Sequence, residues 1–189
     1  FKAFKHAEDK LPVTCILVLS TLDFILYFTV SNPHLLGLYF FAMIVPKSQI
    51  CAWNHHHQHA PTFLRSSLNR LLEFFYALHT GVTTNLWVLH HNYGHHEHYL
   101  DQSKDQSRWQ RKNGSTMGEL EYSLNVAATS YWRGYQVGKS FPAERNTFLL
   151  FSAITFLMLA FLIWYNPIPA LFLFVCLLYT SPSPRDLYR

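Results

Sequence analysis

Charge is what this chain has least of. Asp, Glu, Lys and Arg make up 14% of its 189 residues, against about 25% in an ordinary soluble domain. A surface so poor in charge is not built to face water everywhere, so much of it is expected to face lipid. The charge that exists is scattered. The formal balance is +4 with histidine neutral, but no dense Lys/Arg stripe runs along the sequence, which argues against nucleic acid as a partner. Cysteine is nearly missing. Cys15, Cys51 and Cys176 supply no disulfide framework. No signal peptide is evident either. The basic start (Lys2, Lys5, Lys10) runs into an apolar stretch too long for a leader, with no small-residue cleavage site after it. Internal repeats and low-complexity tracts are also absent. The first residue is Phe1, not Met, which reads as an incomplete N-terminus.

What is present in quantity is apolar sequence in long runs. Residues 11–30 form a twenty-residue run, roughly 30 Å as a helix and so a match for a bilayer core. Asp23 interrupts it. A carboxylate is costly in lipid, so it is expected to face the bundle interior. Ser31, Asn32, Pro33 and His34 make a tight turn. Residues 35–53 form a second span, weakened by Pro46 and Lys47, whose last two turns are expected to protrude past the membrane. A third, uncharged span follows at residues 148–165, then an Asn-Pro-Ile-Pro turn, and a fourth span starts at residue 170. Between the second and third spans the chain is polar. Within it, residues 68–89 read as a helix on the membrane surface, residues 101–118 as a hydrophilic loop, and residues 119–135 as helix again. The fold class is therefore all-α, an integral membrane bundle of two transmembrane hairpins with a helical, histidine-rich section between them. Lys and Arg flank the N-terminus and the central section (Arg65, Arg70, Arg133, Lys139, Arg145) and are missing from both turns. By the positive-inside rule the central section faces the cytoplasm.

Histidine is the outlier. Of 12 in the chain, all but His6 and His34 lie between His55 and His98. They cluster, and the clusters adjoin spans. The first is His55, His56, His57 and His59, at the end of the second span. His55 and His59 are four residues apart and share a helix face, so they can chelate one metal or bracket a pair. His56 and His57 point elsewhere on the same helix. A merely solvated helix end would not need four histidines in five residues. The second cluster is His90, His91, His95, His96 and His98. His91 and His95 repeat the four-residue spacing, with His96 adjacent. The rival reading is a zinc-scavenging or pH-sensitive surface. His79, alone between the clusters, reads as structural. Imidazole suits iron, zinc, copper and nickel alike. Structural zinc usually brings cysteine, and neither cluster has one. Many imidazoles without thiolates, tethered to lipid-facing spans, point to an oxidative iron site.

The order of these parts resembles a known family. A transmembrane hairpin, His55-x-x-x-His59, a surface helix, His91-x-x-x-His95-His96 and a further hairpin are similar to the membrane fatty acid desaturase and hydroxylase superfamily. The resemblance implies a non-haem di-iron centre that uses O2 as co-substrate to remove hydrogens from an unactivated methylene. It implies two iron ions held by His55, His59, His91, His95 and His96, with His56, His57, His90 and His98 as alternates or supporting groups. It gives no catalytic group beyond the metal ligands. It further implies an acyl-lipid, acyl-CoA or acyl-ACP substrate, and an electron donor such as ferredoxin or a cytochrome b5-like protein. Desaturation leads. Lipid hydroxylation or ketolation shares these boxes, and a membrane metal carrier is the rival of another class, although a carrier should place its ligands within the spans.

One part of the family pattern is missing. The family carries a third histidine box after its last span, and no histidine follows His98. Residues 176–186, CLLYTSPSPRD, back-translate codon for codon into a sequence that resembles a common transposase sequencing adapter. The expectation is a desaturase-like domain over residues 1–175, incomplete for want of its third box, followed by a foreign tail over residues 176–189. The chain as given is accordingly expected to show no turnover by itself.

Overall fold

The computed structural model describes residues 3–175. The segment read as a foreign tail, residues 176–189, lies outside the described residues. The fold is helical as expected. The long elements are α1 (Lys10–Thr29), α2 (Pro33–His59), α3 (Ser66–Thr80), α4 (Glu119–Val137) and α5 (Pro142–Tyr165). Among the described residues, β-pairing is limited to two isolated bridges, Phe4 with Phe63 and Gln110 with Thr116. Three helical stretches, Ala7–Thr29, Pro33–His59 and Pro142–Tyr165, are long and apolar enough to cross a membrane. Where a fourth span was expected to begin, a single helical turn (Pro167–Ala170) passes into a π-helical turn (Leu171–Val175).

Helix boundaries follow local chemistry. Asn32 caps α2, its side-chain oxygen accepting from the backbone N–H of His34 and Leu35 at 2.9 and 3.3 Å, with Pro33 in the first turn, where its missing N–H costs nothing. The 27 residues of α2 span roughly 40 Å, longer than a bilayer core of about 30 Å. Its last turns therefore have length to spare, which is where the first histidine cluster sits. α5 begins six residues before the apolar run, at Pro142, because a polar first turn extends it. The surface helix expected over residues 68–89 is shorter. α3 stops at Thr80, where Gly81 takes a left-handed conformation (φ 71°) and its N–H closes on Ala77 at 2.9 Å. A left-handed residue at that position ends a helix, and glycine adopts it without steric cost.

The described residues fall into two compact units: those up to Thr84 together with those from Phe151, and Asn85–Leu150. In the first unit two apolar clusters hold the helices. Val13, Ile16, Ile50, Leu72 and Tyr76 join α1, α2 and α3. Tyr27, Leu36, Leu78, Leu159, Leu162 and Leu173 join both ends of the unit. Tyr27 also donates to the Leu162 carbonyl at 2.7 Å.

Between these clusters lies a buried polar group. Asp23 of α1 and Lys47 of α2 form an ion pair at 2.6 Å with essentially no exposure. The Tyr39 hydroxyl donates to the other carboxylate oxygen at 2.7 Å. His79 of α3 approaches the same carboxylate at 3.5 Å and meets Ser20 Oγ at 2.9 Å. Burial first, and the Lys47 charge second, hold His79 down at about 3. It is therefore a neutral, structural imidazole, as its isolation in the sequence suggested.

At the end of α2 a second set of bonds fixes the helix to α3. His57 is buried, with Nδ1 2.9 Å from Thr62 Oγ1 and Nε2 3.3 Å from Glu73 Oε1. Arg70 donates to the other oxygen of Glu73 at 2.7 Å. Asn54 donates to Thr80 Oγ1 and Gln58 to Asn54, each at 3.2 Å. Burial pushes the Glu73 carboxyl upward, but the bonds from His57 and Arg70 together outweigh it and the net shift is down.

Two stability predictions follow from these contacts. Lys47→Met strands Asp23 without its cation and should cost about 3–5 kcal/mol, while Asp23→Leu with Lys47→Met should recover most of that loss. Thermal unfolding of the four proteins in detergent closes the cycle. A double variant as unstable as the single would show that the pair itself is not the source. For Glu73 the folded value lies below the usual 4.5. Its contribution is therefore complete above about 4.5 and is lost as pH falls through the lowered value. Glu73→Gln should flatten the acid limb of a stability-versus-pH curve, and an unchanged limb would assign acid unfolding to other carboxylates.

Candidate metal centre

The first histidine cluster ends α2. Because the helix runs unbroken to His59, the four-residue spacing does place His55 and His59 on one face. Their ring centroids are 4.9 Å apart, and one ligand nitrogen of each lies within 4.8 Å of the other. His55 is half-buried and His59 exposed, while His56 points to solvent. His57 is different in kind, since Thr62 and Glu73 occupy both its nitrogens. Thr62 is itself pinned. Its carbonyl accepts from Lys5 N at 2.9 Å, and Leu64 N donates to Ala3 O at 3.0 Å, so the chain start clamps the segment after the cluster.

The second cluster lies in the Asn85–Leu150 unit and is not α-helical. Val88–Tyr93 is a π-helix, sealed by the Gly94 N–H on the Leu89 carbonyl at 3.0 Å. Such one-turn widenings recur at functional sites. His91 leaves it and His95 N returns to His91 O at 3.1 Å, so one α-type turn separates them. The same-face geometry expected from the spacing is thus reached by another backbone route. The His91 ring lies 5.3 Å from His95 and 4.4 Å from His96, with His95 and His96 5.5 Å apart. The His91 and His96 Nε2 atoms are 3.0 Å apart. Two imidazoles on one ion at bonds of roughly 2.0–2.1 Å, meeting near a right angle, have nitrogens about 3 Å apart. The donor set and this spacing fit a transition metal. His90 is buried, its Nε2 without a hydrogen-bond partner among the described residues. Burial first and the Arg133 charge second hold it down at about 4. His98 is half-buried in the 3-10 turn His96–His98.

Residues that the sequence did not single out support this cluster. His95 Nδ1 lies 2.7 Å from Asp105 Oδ1, a fully buried carboxylate in the segment read only as a hydrophilic loop. That loop is ordered by its own bonds. Asp105 N reaches Asp101 O at 2.8 Å, and Gln102 Oε1 accepts from Trp109 N and Gln110 N at 3.0 and 3.1 Å. It presses on Gly94, where an added Cβ would stand 2.6 Å from Gln106 Cγ and from the His90 carbonyl. Only glycine admits the loop there. Arg133 of α4 donates to the Gln106 carbonyl and to Asn125. The glycine inside the second box was the one sequence signal of this close approach. Nothing in the spacing marked Asp105.

A family model described as fatty acid desaturase matches residues 31–184. No curated protein and no solved structure matches the chain. The matched stretch covers well over half of the sequence and contains both histidine clusters, the whole of α2 and the whole Asn85–Leu150 unit. This chain belongs to the fatty acid desaturase family.

Proposed function

We propose that the protein is a membrane-bound acyl desaturase whose His55, His59, His91, His95 and His96 hold two non-haem iron ions, with O2 as co-substrate. The observation that carries this reading is the convergence of three imidazoles in the second cluster, with the His91 and His96 nitrogens 3.0 Å apart, in a chain of this family. When bound, iron supplies activation of O2 and removal of hydrogens from an unactivated methylene. The chain's own residues do the rest. The unbroken end of α2 presents His55 and His59 from one face. The π-helix and the turn after it gather His91, His95 and His96. His57, tied at both nitrogens, anchors the end of α2 and leaves its neighbours to face a ligand. The spans keep the site beside the lipid from which an acyl chain on a lipid, coenzyme A or carrier protein is drawn. Reducing equivalents come from ferredoxin or a cytochrome b5-like donor. A metal carrier would place its ligands mid-span. Here the first cluster closes the last turn of α2, and the second lies outside all three apolar helices.

The reading also orients the chain, with the histidines on the cytoplasmic side beside the Lys/Arg flanks. Two tests address it. A full-length version that includes the family's third histidine box, purified in detergent after iron-replete expression, is expected to hold about two irons per chain, and His59→Ala or His95→Ala should release them. Stoichiometric zinc in place of iron would sink the proposal. For orientation, an impermeant thiol reagent added to intact cells is expected to label Ser31→Cys and to spare Ser67→Cys in a cysteine-replaced background. Both positions are exposed in the structure, and the opposite pattern would invert the topology.

A further inference from the structure

Asp105 is an unusual residue for a loop. It has no exposed surface. Its Oδ1 contacts His95 Nδ1 at 2.7 Å and accepts from the Ser107 N–H at 2.7 Å. Its Oδ2 has no partner among the described residues. No Lys or Arg among the described residues forms an ion pair with it. Arg133, the cation braced against this loop, spends its guanidinium on the Gln106 carbonyl and on Asn125. The Arg133 charge therefore reaches Asp105 only through space, and a buried carboxylate that no cation bonds directly is costly, which favours a bonded partner able to share positive charge. Among the described residues, the titratable side chain bonded to it is His95.

The geometry points to Asp105 as the positioning residue of His95, holding the imidazole as its Nδ1–H tautomer so that Nε2 is the nitrogen offered to iron. This rests on the metal-binding reading above. A hydrogen bond at Nδ1 decides which ring nitrogen keeps its lone pair. A carboxylate acceptor also strengthens that lone pair, which an amide would do less well. A metal on Nε2 would add positive charge on the far side of the ring, and the carboxylate at Nδ1 would stabilise it. Two further contacts fix the arrangement. Tyr99 stands edge-on to the His95 ring at 5.4 Å, which limits its rotation. Gln106, next to Asp105, donates its N–H to the Gly94 carbonyl at 2.9 Å, and the bare Cα of Gly94 leaves room for its side chain. The loop is thereby locked one residue from each partner of the Asp105–His95 bond.

The test pairs metal affinity with a direct view of the tautomer. Nitrogen-15 NMR of the metal-free protein in detergent, with labelled histidine and His95 assigned from His95→Gln, is expected to show the Nδ1–H form. Anaerobic Fe(II) titration is expected to give a dissociation constant about 10–100-fold weaker for Asp105→Asn than for the unaltered protein. Asp105→Glu should recover part of the loss, and the unfolding midpoint of metal-free Asp105→Asn should not fall below the original, since the variant keeps an acceptor oxygen and removes a buried charge. An Nε2–H tautomer, or an unchanged Fe(II) constant in Asp105→Asn, would overturn the assignment. Should the variants fail to fold, the tautomer in the unaltered protein still decides. If the unaltered protein binds no Fe(II), the metal-binding reading fails instead, and the two failures are told apart.

Discussion

An ion pair inside the apolar helices sets the terms for the first unit. Asp23 and Lys47 meet at 2.6 Å with no access to water, and Tyr39 satisfies the second carboxylate oxygen. Charges so placed are tolerable only when paired and hydrogen-bonded. A slip of α2 along α1 would separate them, and the cost of that separation fixes the register. Pro46 immediately precedes Lys47. Its missing N–H already weakens the helix ladder at that turn, so the ion pair steadies α2 where its own backbone does so least. His79 extends the network to α3. The position of His55 and His59 at the far end of α2 depends on this register.

The two histidine clusters are built by different means. In the first, an ordinary α-helix supplies the four-residue geometry. The bonds of His57, Asn54 and Gln58 to α3 and its neighbours keep the last turns from fraying. In the second, a π-helix and two turns bring three imidazoles together, and the backbone alone does not hold them there. The loop after the cluster does that, through Asp105 on His95 and Gln106 on Gly94, and α4 braces the loop through Arg133. Both supports use carboxylates taken out of water, Glu73 under His57 and Asp105 under His95. Glu73 has Arg70 for a counter-charge. Asp105 has no Lys or Arg bonded to it among the described residues, and the Arg133 charge acts on it only through space.

Much of this was legible in the sequence, for identifiable reasons. Long uncharged runs can only be helices that avoid water, so the spans declared themselves. Asn32-Pro33 is a helix start by its own chemistry, and His55 with His59 share a face because α-helical geometry is periodic. The clustering of histidine without cysteine pointed to a metal site, and the order of boxes and spans resembled the family that the match over residues 31–184 then established. Other features needed the tertiary structure. The end of α3 at Gly81 was missed because an apolar run continued past it, and a left-handed glycine outweighs hydrophobic continuity. The burial of Asp23 could be expected, but its partners Lys47, Tyr39 and His79 lie 16 to 56 residues away along the chain. No local pattern encodes such pairing. The same holds for Asp105, which looks like any acid in a polar loop until the loop folds back on Gly94. Sequence periodicity determined which histidines could share a face. Contacts between distant segments decided which carboxylate stands behind which imidazole, because that depends on how loops close and not on how helices repeat.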